Sequence, residues 1–315
     1  MKYTNEELVK KSKSLSDSEK RNCESTVNVV KTLLKTFGFS LTNEKAIDND
    51  DGLDYGFSMK KDNHLYTVLL QGSYGNGTGV RRESDVDISI ICEDVWIGNY
   101  TRFSARDYNF CDSSFSILDL KSQLSNFINN HYPSMVRESN KCIDFAGNGS
   151  SRKNVDIVPA LRYRDYSNDL YCNPNNYVKG ICIKTRNGMK IINYPEQTRD
   201  NSIHKNNETN YYYKKIVRII KSIKSDMEDE GNSYASSVSS FGLESLLYNV
   251  PNDVINGNYD TMCDRVIAVI DYLVSNKGYF CNYKEPNGIL NIFDNSSNDI
   301  EVYRNFIVSL KRYVQ

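Results

Sequence analysis

The sequence reads QGSYGNGT from Gln71 to Thr78 and SDVDI from Ser84 to Ile88, and these two segments decide the fold. Side chains two residues apart on a strand point to the same face, so Asp85 and Asp87 are expected to lie roughly 7 Å apart on one face. Two carboxylates so placed repel each other unless a divalent cation neutralises them. Oxygen ligands of this kind favour Mg²⁺ or Mn²⁺. The D-x-D segment therefore predicts a metal site at the start of a central strand.

The glycine-rich segment predicts a phosphate-binding turn. It follows the apolar run from Tyr66 to Leu70, a predicted buried strand that ends at Gln71. Glycines let backbone N–H groups approach phosphate oxygens, and the hydroxyl of Ser73 adds a further donor. We therefore predict that Gln71, Gly72 and Ser73 bind a nucleoside triphosphate.

A third acid stands alone in the apolar run from Val155 to Pro159. Burying an unpaired carboxylate there costs several kcal/mol, so a metal partner explains Asp156. A glycine-rich turn is common, and a D-x-D pair alone is also typical of a solvated strand edge. The turn, the pair and the single acid in this order favour catalysis. The predicted catalytic and metal-binding residues are Asp85, Asp87 and Asp156, around two divalent ions.

The remaining pattern predicts an α+β fold. Ser16 and Glu19 form a capping-box pattern that starts a helix, and Asn187-Gly188 marks a hairpin turn. A second hairpin, from Cys142–Phe145 to Val155–Val158, is expected to carry Asp156 beside the D-x-D strand. Helices are predicted at 118–128, 211–223, 240–248, 261–273 and 300–313, with a loop near Ser296. We therefore predict a mixed-sheet lobe over residues 1–205, including the N-terminal helix, packed against a helical lobe over residues 206–315.

Composition excludes several classes of protein. The chain has 315 residues and a formal net charge of -1, so overall charge does not attract nucleic acid. No apolar run approaches the roughly eighteen residues that cross a bilayer, which predicts a cytoplasmic protein without a membrane partner. The eight cysteines and three histidines form no C-x-x-C pair and no cluster at zinc spacing in the sequence. A Ser-His-Asp hydrolase has equally little support.

These motifs resemble those of the CD-NTases, the bacterial cGAS/DncV-like nucleotidyltransferases of the polymerase β superfamily. The matching segments are Gly72-Ser73-Tyr74, Asp85-Val86-Asp87, Val155-Asp156-Ile157-Val158-Pro159, Tyr213-Lys214-Lys215-Ile216-Val217-Arg218 and Ser239-Ser240-Phe241-Gly242-Leu243-Glu244. The resemblance covers roughly residues 15–250. It departs at Tyr213, where the family pattern has Phe, and over 195–207, where the match is loose.

The resemblance implies a polymerase β-like nucleotidyltransferase lobe and an OAS-like helical lobe. It also implies condensation of ATP, GTP, UTP or CTP into a cyclic di- or trinucleotide, with release of pyrophosphate. The product would be a second messenger of bacterial antiphage (CBASS) signalling, read by a separate effector protein. Lys214 would neutralise phosphate charge, and Ser240 would contact phosphate or cap its helix. The alternatives are linear transfer to an RNA end or to a protein or small-molecule hydroxyl, and a silent binding module.

Four basic residues suggest an activator surface. Lys214, Arg218, Lys221 and Lys224, here called the basic stripe, fall near one face of a predicted helix. Because phosphate contacts dominate sequence-independent binding, an activating RNA is a hypothesis for this stripe. The alternative is an ordinary solvated helix face.

Overall fold

The computed structural model describes residues 2–46, 55–80, 85–294 and 298–315. The loop predicted near Ser296 lies outside this range. The chain forms two compact units. The sheet unit comprises Ser16–Gly75 and Asp85–Pro195, and the helical unit comprises Met1–Leu15, Asn76–Ser84 and Glu196–Gln315.

The sheet unit is built on a mixed sheet of nine strands among the described residues. The strands are β1 Ser40–Ala46, β2 Tyr55–Lys61, β3 His64–Gln71, β4 Val86–Asn99, β5 Val136–Glu138, β6 Ile143–Phe145, β7 Val155–Asp165, β8 Val178–Lys184 and β9 Lys190–Asn193. Their order is β1-β2-β3-β4-β7-β6-β5, with β8 paired to β7 and β9 paired to β8. Of the neighbouring strand pairs described, β4 and β7 are the one parallel pair. The long connection between them allows this pairing, since parallel strands need a crossover. Both predicted hairpins and the α+β class are confirmed.

The helices follow local signals where these are strong. They are α1 Asn5–Lys11, α2 Asp17–Thr36, α3 Gly72–Gly75, α4 Ile117–His131, α5 Pro195–Glu208, α6 Tyr212–Asp229, α7 Ser233–Ser237, α8 Ser240–Tyr248, α9 Asn252–Asn256, α10 Met262–Asn276 and α11 Ile300–Val314. Ser16 and Glu19 complete the predicted capping box of α2, and most apolar side chains of this helix are buried. In α4, too, most of the apolar side chains are buried. No described helix meets the length and apolarity needed to cross a membrane.

The two units differ from the predicted division in two respects. The C-terminal series of helices begins with α5 at Pro195 rather than after residue 205. The sequence did not reveal α5, because this polar helix has no apolar periodicity. The first fifteen residues, and the segment Asn76–Ser84 between turn and D-x-D pair, belong to the helical unit. Leu8 on α1 is fully buried in the core of that unit.

The basic stripe is not a solvent-exposed surface, and this prediction was wrong. All four side chains are buried on α6, with 1–5% of their surface exposed. Arg218 donates to the carbonyl oxygens of Ser12 (2.7 Å) and Gly77 (2.6 Å). Lys221 pairs with Glu244 (2.9 Å), and Lys224 pairs with Glu228 (2.7 Å). The sequence pattern identified one helix face correctly, but chain segments distant in sequence cover that face.

Candidate active site

Five side chains lie in one row across four strands and the end of a fifth. On β3, Gln71 pairs with Asp87 on β4, and Asp87 pairs with Asp156 on β7 in the parallel register. Asp156 in turn pairs with Asp144 on β6, and Asp144 with Arg137 on β5. Paired residues on neighbouring strands point to the same face. The sheet therefore brings Asp87 and Asp156, which are 69 positions apart in the sequence, directly side by side.

Gly72 is required at the turn beside this row. Its φ of +67° lies in the left-handed region that glycine adopts without steric cost. A Cβ at this position would overlap the carboxylate of Asp87. Ser73 follows within α3 and is half-buried, and Gly75 is buried against the carbonyl oxygen of Leu70. The turn and the D-x-D strand are thus in direct contact, and Gln71, Gly72 and Ser73 all lie at the end of the carboxylate row.

Asp85 is held by a residue that sequence reasoning missed. Asn154, just before β7, donates its side-chain amide to Oδ1 of Asp85 (2.9 Å) and accepts a hydrogen bond from the backbone of Gly147 (2.8 Å). Its carbonyl oxygen accepts the backbone N–H of Val86 (2.8 Å). Asn154 therefore fixes the first acid of the D-x-D pair to the strand that carries Asp156.

The electrostatics of the row call for a cation. Burial, followed by the charges of Asp156 and Asp85, raises the pKa of Asp87 to about 7. Burial also raises the pKa of Asp156, with contributions from Asp144 and Asp85. A carboxylate whose ionised form is destabilised in this way is stabilised by a nearby divalent ion.

The donor set fits a hard divalent metal. Asp85, Asp87 and Asp156 offer carboxylate oxygens, the ligand type preferred by Mg²⁺ and Mn²⁺. Asp85 and Asp156 line an open depression of 540 Å³ together with Asp144 and Arg137. This opening exposes part of the row to solvent.

Three further residues extend the site. Asp144 and Arg137 form an ion pair (2.7 Å) next to Asp156, and the thiol of Cys142 lies 3.0 Å from Oδ1 of Asp144. Asp144 and Arg137 are local neighbours in a short hairpin, and no spacing rule marked them. The alternation of Cys142 and Asp144 on the predicted strand was the only available signal.

Lys214 and Ser240 lie in the helical unit. Lys214 is buried on α6, and its backbone N–H donates to Oδ1 of Asn206 (3.1 Å). Ser240 is the first residue of α8 but does not cap it, which corrects the capping alternative: the side chain of Ser239 accepts the N–H of Gly242 (3.0 Å). The roles of Lys214 and Ser240 toward a nucleotide remain predictions.

The segment that follows the turn is anchored within the helical unit. Glu244 on α8 accepts hydrogen bonds from Thr78 (2.7 Å), Asn76 (3.2 Å) and Lys221 (2.9 Å), and all four side chains are buried. Residues 76–78 directly continue the chain from the glycine-rich turn. Glu244 was visible in the sequence only as part of a family motif, without a role.

Comparisons with known proteins identify the family of the chain. Residues 200–315 match the cGAS/DncV-like nucleotidyltransferase C-terminal helical domain. The chain is 39% identical to the cyclic GMP-AMP synthase CdnE03 of Staphylococcus schleiferi, over 100% of this chain and 98% of that protein. It is 34% identical to the cyclic dipyrimidine nucleotide synthase CdnE of Cecembia lonarensis, over 87% and 84%. The structure of the Elizabethkingia meningoseptica CdnE cyclic dinucleotide synthase with GTP and Apcpp superposes with a TM-score of 0.74 at 26% identity, covering 99% of both chains.

Proposed function

The chain belongs to the cGAS/DncV-like nucleotidyltransferases, and from this premise we propose that it condenses two nucleoside triphosphates into a cyclic dinucleotide with release of pyrophosphate. The observation that carries the proposal is the register that sets Asp87 beside Asp156, with Gly72 packed on Asp87. The relative from Staphylococcus schleiferi is a cyclic GMP-AMP synthase that matches along the whole chain, so ATP and GTP are the first substrates to test.

Each part of the site has a proposed role. Asp85, Asp87 and Asp156 would hold two divalent ions, Mg²⁺ or Mn²⁺, with Asp156 serving the acceptor ribose hydroxyl. These ions would neutralise phosphate charge and lower the pKa of that hydroxyl. The turn at Gly72 and Ser73, with Gln71 before it, orients the β and γ phosphates for in-line attack on the α-phosphate. Lys214 and Ser240 are proposed to contact the same triphosphate.

We further propose that the product is a second messenger of bacterial antiphage defence, formed in the cytoplasm where triphosphates are available and read by a separate effector. The family resemblance supports this proposal. An activating RNA stays a hypothesis, and it now lacks the basic stripe as its surface, because those four side chains are buried.

The test incubates the purified protein with each of the four labelled triphosphates and Mg²⁺ or Mn²⁺, with and without RNA, followed by phosphatase and chromatography. A phosphatase-resistant product and one pyrophosphate per bond are expected. Asp87→Asn should abolish both, whereas Asp119→Asn, a carboxylate change in the first turn of α4, should leave both unchanged. A lengthened RNA or a labelled hydroxyl acceptor would establish linear transfer instead, and no turnover under any condition would support a silent module.

A further inference from the structure

Three potential metal ligands meet at the opposite end of β3 and β4 from the carboxylate row. His64 opens β3, while Cys92 and Asp94 lie two residues apart on β4 and so share a face. Tyr66 pairs with Cys92 in the antiparallel register, which carries His64 to the position opposite Asp94. An imidazole nitrogen, a thiol sulfur and a carboxylate oxygen therefore converge across two neighbouring strands.

The distances suit a single cation. Nδ1 of His64 lies 3.1 Å from Oδ1 of Asp94, and Sγ of Cys92 lies 3.3 Å from the same oxygen. All three atoms lie within 4.8 Å of one another. Zinc–ligand bonds of about 2.0–2.3 Å in a tetrahedron hold ligand atoms about 3.3–3.7 Å apart. The two distances to Asp94 therefore lie within a few tenths of an ångström of this spacing, and His64 and Cys92 would approach each other to the same spacing around the ion.

The cluster is buried at Cys92 and open to solvent at His64 and Asp94. Cys92 is fully buried, whereas the side chains of His64 and Asp94 are 28% and 43% exposed. The ring of Phe115 packs against the imidazole of His64, with 4.7 Å between the ring centroids. The backbone N–H of Leu65 donates to Oδ2 of Asp94 (3.3 Å), which leaves Oδ1 facing the other two ligands.

We propose that His64, Cys92 and Asp94 form a binding site for a divalent transition metal of the Zn²⁺ type, separate from the catalytic carboxylates. Imidazole and thiolate ligands favour Zn²⁺ over Mg²⁺, which prefers oxygen. On binding, the Cys92 thiol loses its proton to solvent and a metal–sulfur bond forms, without any change of oxidation state. The fourth position faces solvent. The bound ion ties the start of β3 to β4.

A second sulfur-containing group must be kept apart in the test. Cys142, Asp144 and Asp156 also lie within 4.8 Å of one another, but they belong to the active site. The experiment therefore uses the 315-residue chain with Cys142→Ser, in which a thiolate–metal signal from that position is impossible.

The experiment titrates this protein with Co²⁺ and records the thiolate-to-cobalt charge-transfer band in the near ultraviolet, a readout independent of activity. One Co²⁺ per chain should give the band, Zn²⁺ should displace it, and excess Mg²⁺ should not. His64→Asn and Asp94→Asn change partly exposed side chains and should each weaken binding by about tenfold or more. His131→Asn, a matched change at an exposed histidine of the same unit, should have no effect.

Thermal unfolding with Zn²⁺ adds a second measurement. Zn²⁺ should raise the melting temperature of the Cys142→Ser protein by more than that of its Asp94→Asn derivative, in which the catalytic carboxylates are intact but this site is weakened. Cys92→Ser should abolish the band in protein that circular dichroism shows to be folded. Absence of the band, its survival in Cys92→Ser, or an unchanged cobalt affinity in Asp94→Asn would overturn the proposal and leave Asp94 as an acceptor of hydrogen bonds only.

Discussion

Replacing Lys221 with Met tests the buried network that anchors residues 76–78. The ammonium group of Lys221 lies 2.9 Å from Oε2 of Glu244, and these two side chains are 2% and 1% exposed. Removing the cation leaves the carboxylate buried with only the neutral donors of Thr78 and Asn76. Breaking a buried pair on one side costs about 3–5 kcal/mol. Folded domains are stable by only about 5–15 kcal/mol, so the loss is a large fraction of the total.

The assay is urea unfolding followed by the helical circular dichroism signal, with the free energy extrapolated to water. Lys311→Met is the matched control, because Lys311 pairs with Asp271 at 2.8 Å while both side chains are 34–45% exposed. Its expected cost is about 0–1 kcal/mol. The double variant Lys221→Met, Glu244→Gln should recover most of the loss, since no buried charge remains and the amide still meets Thr78 and Asn76. A cost for Lys221→Met equal to that of Lys311→Met, or no recovery in the double variant, would refute the reasoning.

Three further predictions concern the active site. Gly72→Ala should abolish turnover while the chain stays folded by circular dichroism, because a Cβ there overlaps the Asp87 carboxylate; turnover at half the wild-type rate would contradict the close packing. Asn154→Ala should weaken Mn²⁺ binding, followed by calorimetry, by about 10- to 100-fold, because Asp85 loses its orienting hydrogen bond; unchanged affinity would show that Asp85 is positioned otherwise. The raised pKa of Asp87, about 7, means that the metal-free folded chain keeps a proton that the unfolded chain has lost. The contribution of protonated Asp87 to the free energy of unfolding is therefore complete below about pH 4 and is lost as pH rises to about 7. The free energy of unfolding falls by at most about 4 kcal/mol over this range. Urea unfolding at several pH values should show this decline, Asp87→Asn should remove that part of it, and Mg²⁺ should reduce it; a pH dependence equal in Asp87→Asn would exclude Asp87 as its source.

Local sequence patterns were sufficient to place the acids of the proposed catalytic site on neighbouring strands. The period of a strand places Asp85 and Asp87 on one face whatever surrounds them, and the apolar run around Asp156 marks a buried strand beside them. Capping signals and apolar periodicity likewise predicted α2, α4 and the four main C-terminal helices within a few residues. The sequence analysis did not predict the polar helix α5 or the short helix α1, because neither carries a long apolar period.

The sequence by itself thus determined which acids are proposed to hold the metal, which turn precedes them and which nucleotidyltransferase family the chain belongs to. Only the tertiary structure decided that the basic stripe on α6 is buried, that Asn154 and Asp144 join the carboxylates, and that His64 meets Cys92 and Asp94. The physical reason is that the direction of a side chain follows from local backbone geometry. Its burial and its partners depend on segments far away in the chain, such as residues 8–12 and 76–78, whose packing no local period encodes.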